Sequence, residues 1–283
     1  MGIPTIVRVP AIQLGYQGFI QGSRYDTGEE EMANEKRRYC YVDFTKEPVT
    51  GVFAKATHAV ATSVNTQQDY TRVGDQQAYF EWVQIGASTP IFPTASATGW
   101  ALPMTDTDAT GIAMSQGIVA GDPTNMKFVT GTDAFFMKVR LEMTTVENFL
   151  VCMIGFRELA AYAVTTTSAL ALTDYDHKAL IGVMDALGAV RSFVSTGAGA
   201  DVSTVATNTP VLTGVPVTWE VHVGVDLSVT FKVNGVADPL LQAATPVLTT
   251  GRTLIPHIIA VDGGAGALGS IELVTYECGL SPL

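Results

Sequence analysis

The stretch Val217 to Gly235, VTWEVHVGVDLSVTFKVNG, carries an apolar side chain at every odd position from Val217 to Val233 and at no even one. A period of two is the signature of a strand with one buried face. Seventeen residues are long for a single strand, and Gly224 and Asp226 disfavour a strand interior, so the run is expected to fold back as a hairpin near Asp226. Parity then selects the loop. A two-residue turn at Val225 and Asp226 would set Val223 against Ser228 and mix apolar with polar on each face. A three-residue loop, Val225 to Leu227, sets Val223 against Val229, Val221 against Phe231 and Trp219 against Val233. It leaves Glu220 opposite Lys232 on the other, solvated face.

Outward from this hairpin, residues from Ala78 onward read as short β-patterned runs separated by turn residues. The candidate strands are Tyr79–Ile85, Ile112–Gln116, Asn125–Phe128, Ala134–Met143, Phe149–Phe156, Lys178–Asp185, Val190–Thr196, Val217–Val223, Ser228–Val233, Leu254–Val261 and Ser270–Cys278. These are too many for one flat sheet. In FFMKVRLEM, Phe136, Lys138, Arg140 and Glu142 alternate with apolar neighbours, which predicts one solvated face. In FLVCMIGF the apolar run from Phe149 is continuous, which predicts a central strand covered on both sides. Two packed sheets account for both patterns, and no repeat of fixed period points to a solenoid or propeller.

Residues 1 to 75 read differently. Glycines 2, 15, 18, 22 and 28 interrupt short apolar pieces, and Glu29 to Arg38 is a charged segment, acidic first and basic last, as suits a short helix by its dipole. It reads either as a solvated helix or as a docking arm that orders against a neighbour. Tyr39–Phe44 and the run from Gly51 to Val64 are possible strands without a nameable partner. The expected organisation is an extended arm over 1–75 and a β-sandwich over 76–283.

Composition limits the function. The chain has 47% apolar and 15% charged residues and a formal charge of −11, with only 16 Lys and Arg spread along it. Binding a polyanion needs clustered cations, so no direct nucleic-acid partner is expected. No apolar run approaches the ~20 residues of a membrane-spanning helix. MGIPTIVRVP lacks the basic head and long apolar segment of a secretory signal, so the expectation is a protein made without export and with no membrane partner. Cys40, Cys152 and Cys278 form no CxxC pair and have no His at zinc-finger spacing, so neither a disulfide framework nor a zinc site is expected.

Motifs for chemistry are near-misses. Asp106-Thr107-Asp108-Ala109-Thr110-Gly111 opens like a calcium loop, but the twelfth position is Gly117, not an acid, and a turn is the better reading. Asp174, Asp176 and His177 form a small acidic cluster beside one imidazole, read as a solvated loop rather than a metal site. His222 and His257 have neither a carboxylate nor a nucleophile at motif spacing, and no GxSxG, P-loop or GxGxxG occurs. Paired carboxylates for glycoside hydrolysis would project from one strand face. Glu272 and Glu277 differ by an odd number of residues and are expected on opposite faces. Trp219 should point into the core, whereas Trp100 is either packed or free to stack on a sugar. The reading assigns no catalytic, cofactor or metal residue, expects no cofactor and expects no enzyme.

The strands FFMKVRLEM and FLVCMIGF, the hairpin WEVHVGVDLSVTFKVNG, the Pro-containing LIPHIIAV and the terminal SIELVTYEC, spanning roughly residues 78 to 278, resemble the concanavalin-A-like jelly-roll sandwich of laminin-G and legume-lectin folds. The resemblance implies an all-β, two-sheet antiparallel fold. Long Ala-, Thr- and Gly-rich loops, the acidic balance and the N-terminal segment are further similar to structural proteins of tailed-bacteriophage virions. That resemblance implies a capsid decoration or cement protein in the virion, partnered by the major capsid protein and by itself as a homo-oligomer, a trimer. A tail or fibre module recognising cell-surface glycan is the alternative.

Overall fold

The computed structural model describes residues 39–45, 49–60, 64–73, 79–85, 94–103, 111–116, 126–146, 149–159, 175–183, 189–197, 201–204, 210–242, 248–262 and 270–281. In chain order their strands are β1 (Tyr39–Asp43), β2 (Val49–Val60), β3 (Val64–Val73), β4 (Tyr79–Ile85), β5 (Thr94–Ala95), β6 (Trp100–Pro103), β7 (Gly111–Ser115), β8 (Phe128–Val129) and β9 (Phe135–Met143). The remainder are β10 (Phe149–Glu158), β11 (His177–Val183), β12 (Val190–Thr196), β13 (Asp201–Thr204), β14 (Val217–Val223), β15 (Val229–Val233), β16 (Val236–Ala237), β17 (Thr253–Asp262) and β18 (Ser270–Leu280). Every candidate strand from Tyr79 onward has a counterpart here, within a few residues at its ends. No helix among the described residues is long and apolar enough to cross a membrane.

The strands form two antiparallel sheets. Sheet A runs β16-β15-β14-β9-β18-β6-β5, with β1 also on β18, and sheet B runs β13-β12-β11-β10-β17-β7-β4-β3-β2, with β8 also on β17. One apolar cluster joins them: Met137, Val139, Leu141, Trp219, Val221 and Phe231 from sheet A meet Ile154, Phe156, Ile258 and Ala260 from sheet B. At one end Phe128, Phe135 and Phe156 interlock, Phe135 edge-on to Phe156 at 4.8 Å between centroids and parallel to Phe128 at 4.8 Å. The fold is therefore the all-β, two-sheet antiparallel jelly-roll sandwich that the strand pattern implies.

The hairpin has the register argued from parity. Val223 faces Val229, Val221 faces Phe231, Glu220 faces Lys232 and Trp219 faces Val233. Gly224 N donates to Ser228 O at 2.9 Å and Leu227 N to Gly224 O at 3.0 Å, closing the three-residue loop Val225 to Leu227. The third loop position needs a left-handed backbone, and Leu227 adopts it at φ 69°. Its side chain packs on the core in return. At Gly224 a Cβ would lie 2.3 Å from Asp226 Oδ1, the atom that accepts from Ser228 N and Oγ, so a larger residue there would displace the Asp226 carboxylate. Beyond it, Asn234 and Gly235 at φ 51° and 81° turn the chain into β16. β16 is short, and the Gln242 amide extends the edge in its place: it accepts from Phe231 N at 3.0 Å and donates to Phe231 O at 2.8 Å.

Two features depart from the sequence reading, and a third, the proline inside a strand, agrees with it. First, β1, β2 and β3 belong to the sheets although they fall within the segment assigned to the arm: β1 pairs with β18 and β3 with β4, across the expected boundary at 75/76. Residues 1–38, including the charged Glu29–Arg38 segment, lie outside the described residues. Second, Pro256 sits inside a central strand, as the candidate Leu254–Val261 expects, although a missing N–H would break a ladder there. It is accommodated because β8 pairs with Thr253 and Leu254 and β7 with His257 to Val261, leaving Pro256 in the gap between them. Third, β18 is bulged between Leu273 and Thr275, which reverses the parity of everything after it.

Candidate functional site: the outer face of sheet A

The side chains that sheet A turns away from the core form rows across its strands. The first row is Tyr39, Gly279, Phe136, His222 and Thr230, taken from β1, β18, β9, β14 and β15. The second is Tyr41, Glu277, Lys138, Glu220 and Lys232. The third is Asp43, Thr275, Arg140 and Thr218.

The first row is aromatic. Tyr39 and Phe136 have centroids 6.5 Å apart, above Gly279, which has no side chain to separate them. Phe136 and His222 are stacked at 5.8 Å. The second row alternates in charge, so each neighbour across the ladder is attractive. The rows are cross-linked: Tyr39 OH donates to Glu277 Oε1 at 2.8 Å, and His222 Nε2 meets Glu220 Oε2 at 3.0 Å. Lys138 Nζ stands 4.0 Å from Glu220 Oε1. Partial burial, then the bond to Glu277, pushes the Tyr39 phenol well above the ordinary tyrosine range, so it remains a donor at any physiological pH. Tyr39 and Tyr41 are 38% and 37% exposed, and so remain available for contact. Glu220, expected on a solvated face, is in fact buried at 7% exposure beneath its neighbours.

The bulge in β18 changes the reading of the carboxylates. Ile271 and Leu273 before it, and Tyr276 and Cys278 after it, all point inward, so Glu272 and Glu277 share the outer face rather than opposing ones. Glu272 lies opposite Glu142 on β9 and accepts from Ser96 Oγ at 3.1 Å. Trp100 is fully buried, 4.9 Å from the Phe44 ring, so the sugar-stacking alternative for it is excluded. Trp219 is buried as expected.

On sheet B the outward rows among the described residues are buried. Ser115, His257, Gly155 and Leu180 form one row, and Ile255, Arg157, Lys178 and Ser195 the next. Arg157 and Lys178 are completely buried. Gly155 allows close approach at the strand centre, since a Cβ would lie 2.1 Å from Ala179 O. Arg157 Nε donates to Ser115 Oγ at 3.4 Å, its guanidinium lies 4.7 Å from the Tyr175 ring centroid, and Lys178 Nζ donates to Tyr175 O at 3.3 Å. Ser115 Oγ is 2.8 Å from His257 Nδ1. With Arg157 donating to Ser115, the hydroxyl keeps its proton and one lone pair for His257 Nδ1, so donor and acceptor in that bond follow the histidine tautomer. Burial first, and the Arg157 charge second, hold the His257 imidazole well below its ordinary range. A neutral histidine beside a cation, rather than a carboxylate, lacks the basicity of a catalytic triad.

His177, one of the near-miss metal ligands, is buried, with Nδ1 3.2 Å from Glu158 Oε2. Asp176 beside it is exposed. Asp174 and the Asp106–Thr110 loop lie outside the described residues. Among the described residues no three His, Cys, Asp or Glu are grouped to hold a metal ion. Sequence reasoning missed the carboxylate beside His222, although Glu220 is two residues away on the same strand face. The serine beside His257 is 142 residues distant in sequence, and no local signal could have found it.

No protein-family model matches the chain, and no curated protein matches it. Among solved structures it is similar to the Emp47p carbohydrate recognition domain, at 12% identity and TM-score 0.48, covering 71% of this chain and 89% of that one. It is also similar to the potassium-bound Emp46p carbohydrate recognition domain, at 10% identity and TM-score 0.46, covering 71% and 89%. A third likeness is to the binding domain of botulinum neurotoxin DC in complex with SialylT, at 8% identity and TM-score 0.42, covering 77% and 46%. At these identities no binding residue is carried across.

Proposed function

We propose that this chain is a non-catalytic recognition module that binds cell-surface glycan through the outer face of sheet A, as a tail or fibre component of a phage virion. One observation carries the reading: two exposed tyrosines, Tyr39 and Tyr41, stand beside an aromatic row and an alternating row of carboxylates and ammonium groups. A pyranose presents an apolar C–H face and a rim of hydroxyls. The ring faces accept the first, while Glu277, Lys138 and Lys232 offer acceptors and donors to the second. Tyr39 is held by Glu277, so little side-chain entropy is lost when a sugar docks. The test is binding of the full-length protein to an array of bacterial surface glycans, followed by titration of the best ligand.

The second reading is capsid decoration, with the major capsid protein and further copies of this chain, in a trimer, as partners. It is favoured by the position of β1. The Phe44 N to Val274 O bond sets which main-chain groups of β1 face β18. Those of Tyr39 and Tyr41 therefore face the opposite side, where no strand pairs among the described residues. A neighbouring subunit could extend the sheet there. Co-sedimentation with purified capsids, in the absence of any glycan binding, would select this reading over the first.

A further inference from the structure

Cys40 and Cys278 occupy directly opposite positions on the antiparallel strands β1 and β18. Their spacing follows from the ladder. Phe44 N donates to Val274 O at 3.0 Å, so Phe44 and Val274 form a hydrogen-bonded pair. Steps of two along β1 then give Val42 with Tyr276 and Cys40 with Cys278 the same pair type. Residues so paired have Cα atoms about 5.5 Å apart, inside the roughly 4.4 to 6.8 Å that a disulfide spans. Val42, Tyr276 and Cys278 all point into the core, and Cys40 packs against the same cluster, so both thiols lie on one side of the sheet. A polar chain runs beside them: Tyr276 OH donates to Gln116 Oε1 at 3.0 Å, and Gln116 Nε2 lies 3.9 Å from Cys40 Sγ.

We infer that Cys40 and Cys278 form a reversible two-electron redox site, which a small-molecule disulfide converts into a cross-strand bond fastening the edge strand β1 to β18. With glutathione disulfide as oxidant the steps balance. The Cys40 thiolate, the less buried of the two, attacks one glutathione sulfur, forms a mixed disulfide and expels a glutathione thiolate. The Cys278 thiolate then attacks the Cys40 sulfur and expels the second. Two protein thiols are oxidised, one glutathione disulfide is reduced to two thiols, and the two cysteine protons pass to the departing thiolates.

Two features make the site reversible and slow. Opposed Cβ atoms in a ladder are about 4.5 to 5.5 Å apart, whereas a disulfide prefers about 3.5 to 4.5 Å. The strands must draw together, and a strained bond of this kind is readily reduced. Burial pushes the Cys40 thiol up to about 12, partly offset by the Gln116 contact, and pushes Cys278 up as well, with the neighbouring Cys40 adding to it. Both therefore remain protonated at neutral pH, and the rate of closure should rise with pH. Cys152, equally buried, lies in β10 of the other sheet and is a control within the same molecule.

The experiment incubates the native full-length protein with glutathione disulfide to equilibrium, alkylates residual thiols after denaturation, and maps the peptides by mass. The expected product links Cys40 to Cys278 with Cys152 alkylated, reverts with dithiothreitol, and melts several degrees higher than the reduced protein. Cys152→Ser should form the same link. Three results would overturn the inference: all three cysteines alkylated at equilibrium, Cys40 trapped as its glutathione adduct, or a link that includes Cys152.

Discussion

The two outer faces of this sandwich are built by one rule and end in opposite states. On sheet A the rows of Tyr39, Phe136 and His222 and of Tyr41, Glu277 and Lys138 include side chains that are a third or more exposed. On sheet B the equivalent rows hold Arg157 and Lys178 with no exposure at all, beside a serine and a histidine that are nearly as buried. The difference shows that a polar side chain on an outward position of a strand is not by itself evidence of a solvated face. On sheet A alternating charge neutralises each residue within its row. On sheet B the cations lie directly opposite one another and are held by an aromatic ring, a hydroxyl and backbone carbonyls.

Matched substitutions should separate the faces, the largest effects coming from buried groups. Arg157→Ala takes the donor from Ser115 Oγ and the cation from the Tyr175 ring and, by leaving buried polar groups unsatisfied, should cost about 1 to 3 kcal/mol. Arg140→Ala, exposed on sheet A, should cost less than about 0.5 kcal/mol. Phe231→Ala in the core should cost about 3 to 5 kcal/mol. Urea denaturation measures all three, and near-equal losses for the two arginines would break the contrast.

Acid should act through sheet B. The folded pKa of His257 lies well below the 6.5 of a free imidazole. Above that value both folded and unfolded forms are neutral and the group contributes nothing. As pH falls through it, the unfolded chain binds a proton that the folded chain refuses, and stability drops by up to about 1.4 kcal/mol per pH unit. His257→Gln should lower the pH slope of stability between pH 6.5 and the acid limit of folding by up to one proton. An unchanged slope would mean that His257 is protonated in place.

A small effect is also expected at Lys232, half-buried at the end of the charged row. Lys232→Glu places a like charge opposite Glu220 and should cost under ~1 kcal/mol, reduced further by salt. A larger loss would mean that the buried Glu220 depends on Lys232 as well as on Lys138 and His222.

How much of this was legible depends on whether parity survived. In VTWEVHVGVDLSVTFKVNG nothing interrupts the alternation except one loop of odd length, so register, loop and core face could all be read. In SIELVTYEC a one-residue bulge between Leu273 and Thr275 inverts the alternation without any Gly or Pro to mark it, so the expectation that Glu272 and Glu277 lie on opposite faces fails. The central β10 strand was legible because its continuous apolar run needs cover on both faces, and Val151 to Ile154 are fully buried. The candidate site itself was not. Tyr39 and Tyr41 lie in a recognisable strand, but they join Phe136 and His222 only through β18, from the far end of the chain. The same pairing places Cys40 against Cys278, which cysteine spacing could not show.

The central claim is that the exposed tyrosines of β1 make the outer face of sheet A a binding surface. It is tested most directly by titrating the glycan selected on an array against the wild-type protein and the Tyr39→Ala/Tyr41→Ala double variant, with urea midpoints measured in parallel. The account predicts affinity lower by about tenfold or more, the scale of one hot-spot contact, at a nearly unchanged midpoint. Undiminished affinity in the double variant, or no glycan bound by the wild type, would contradict it.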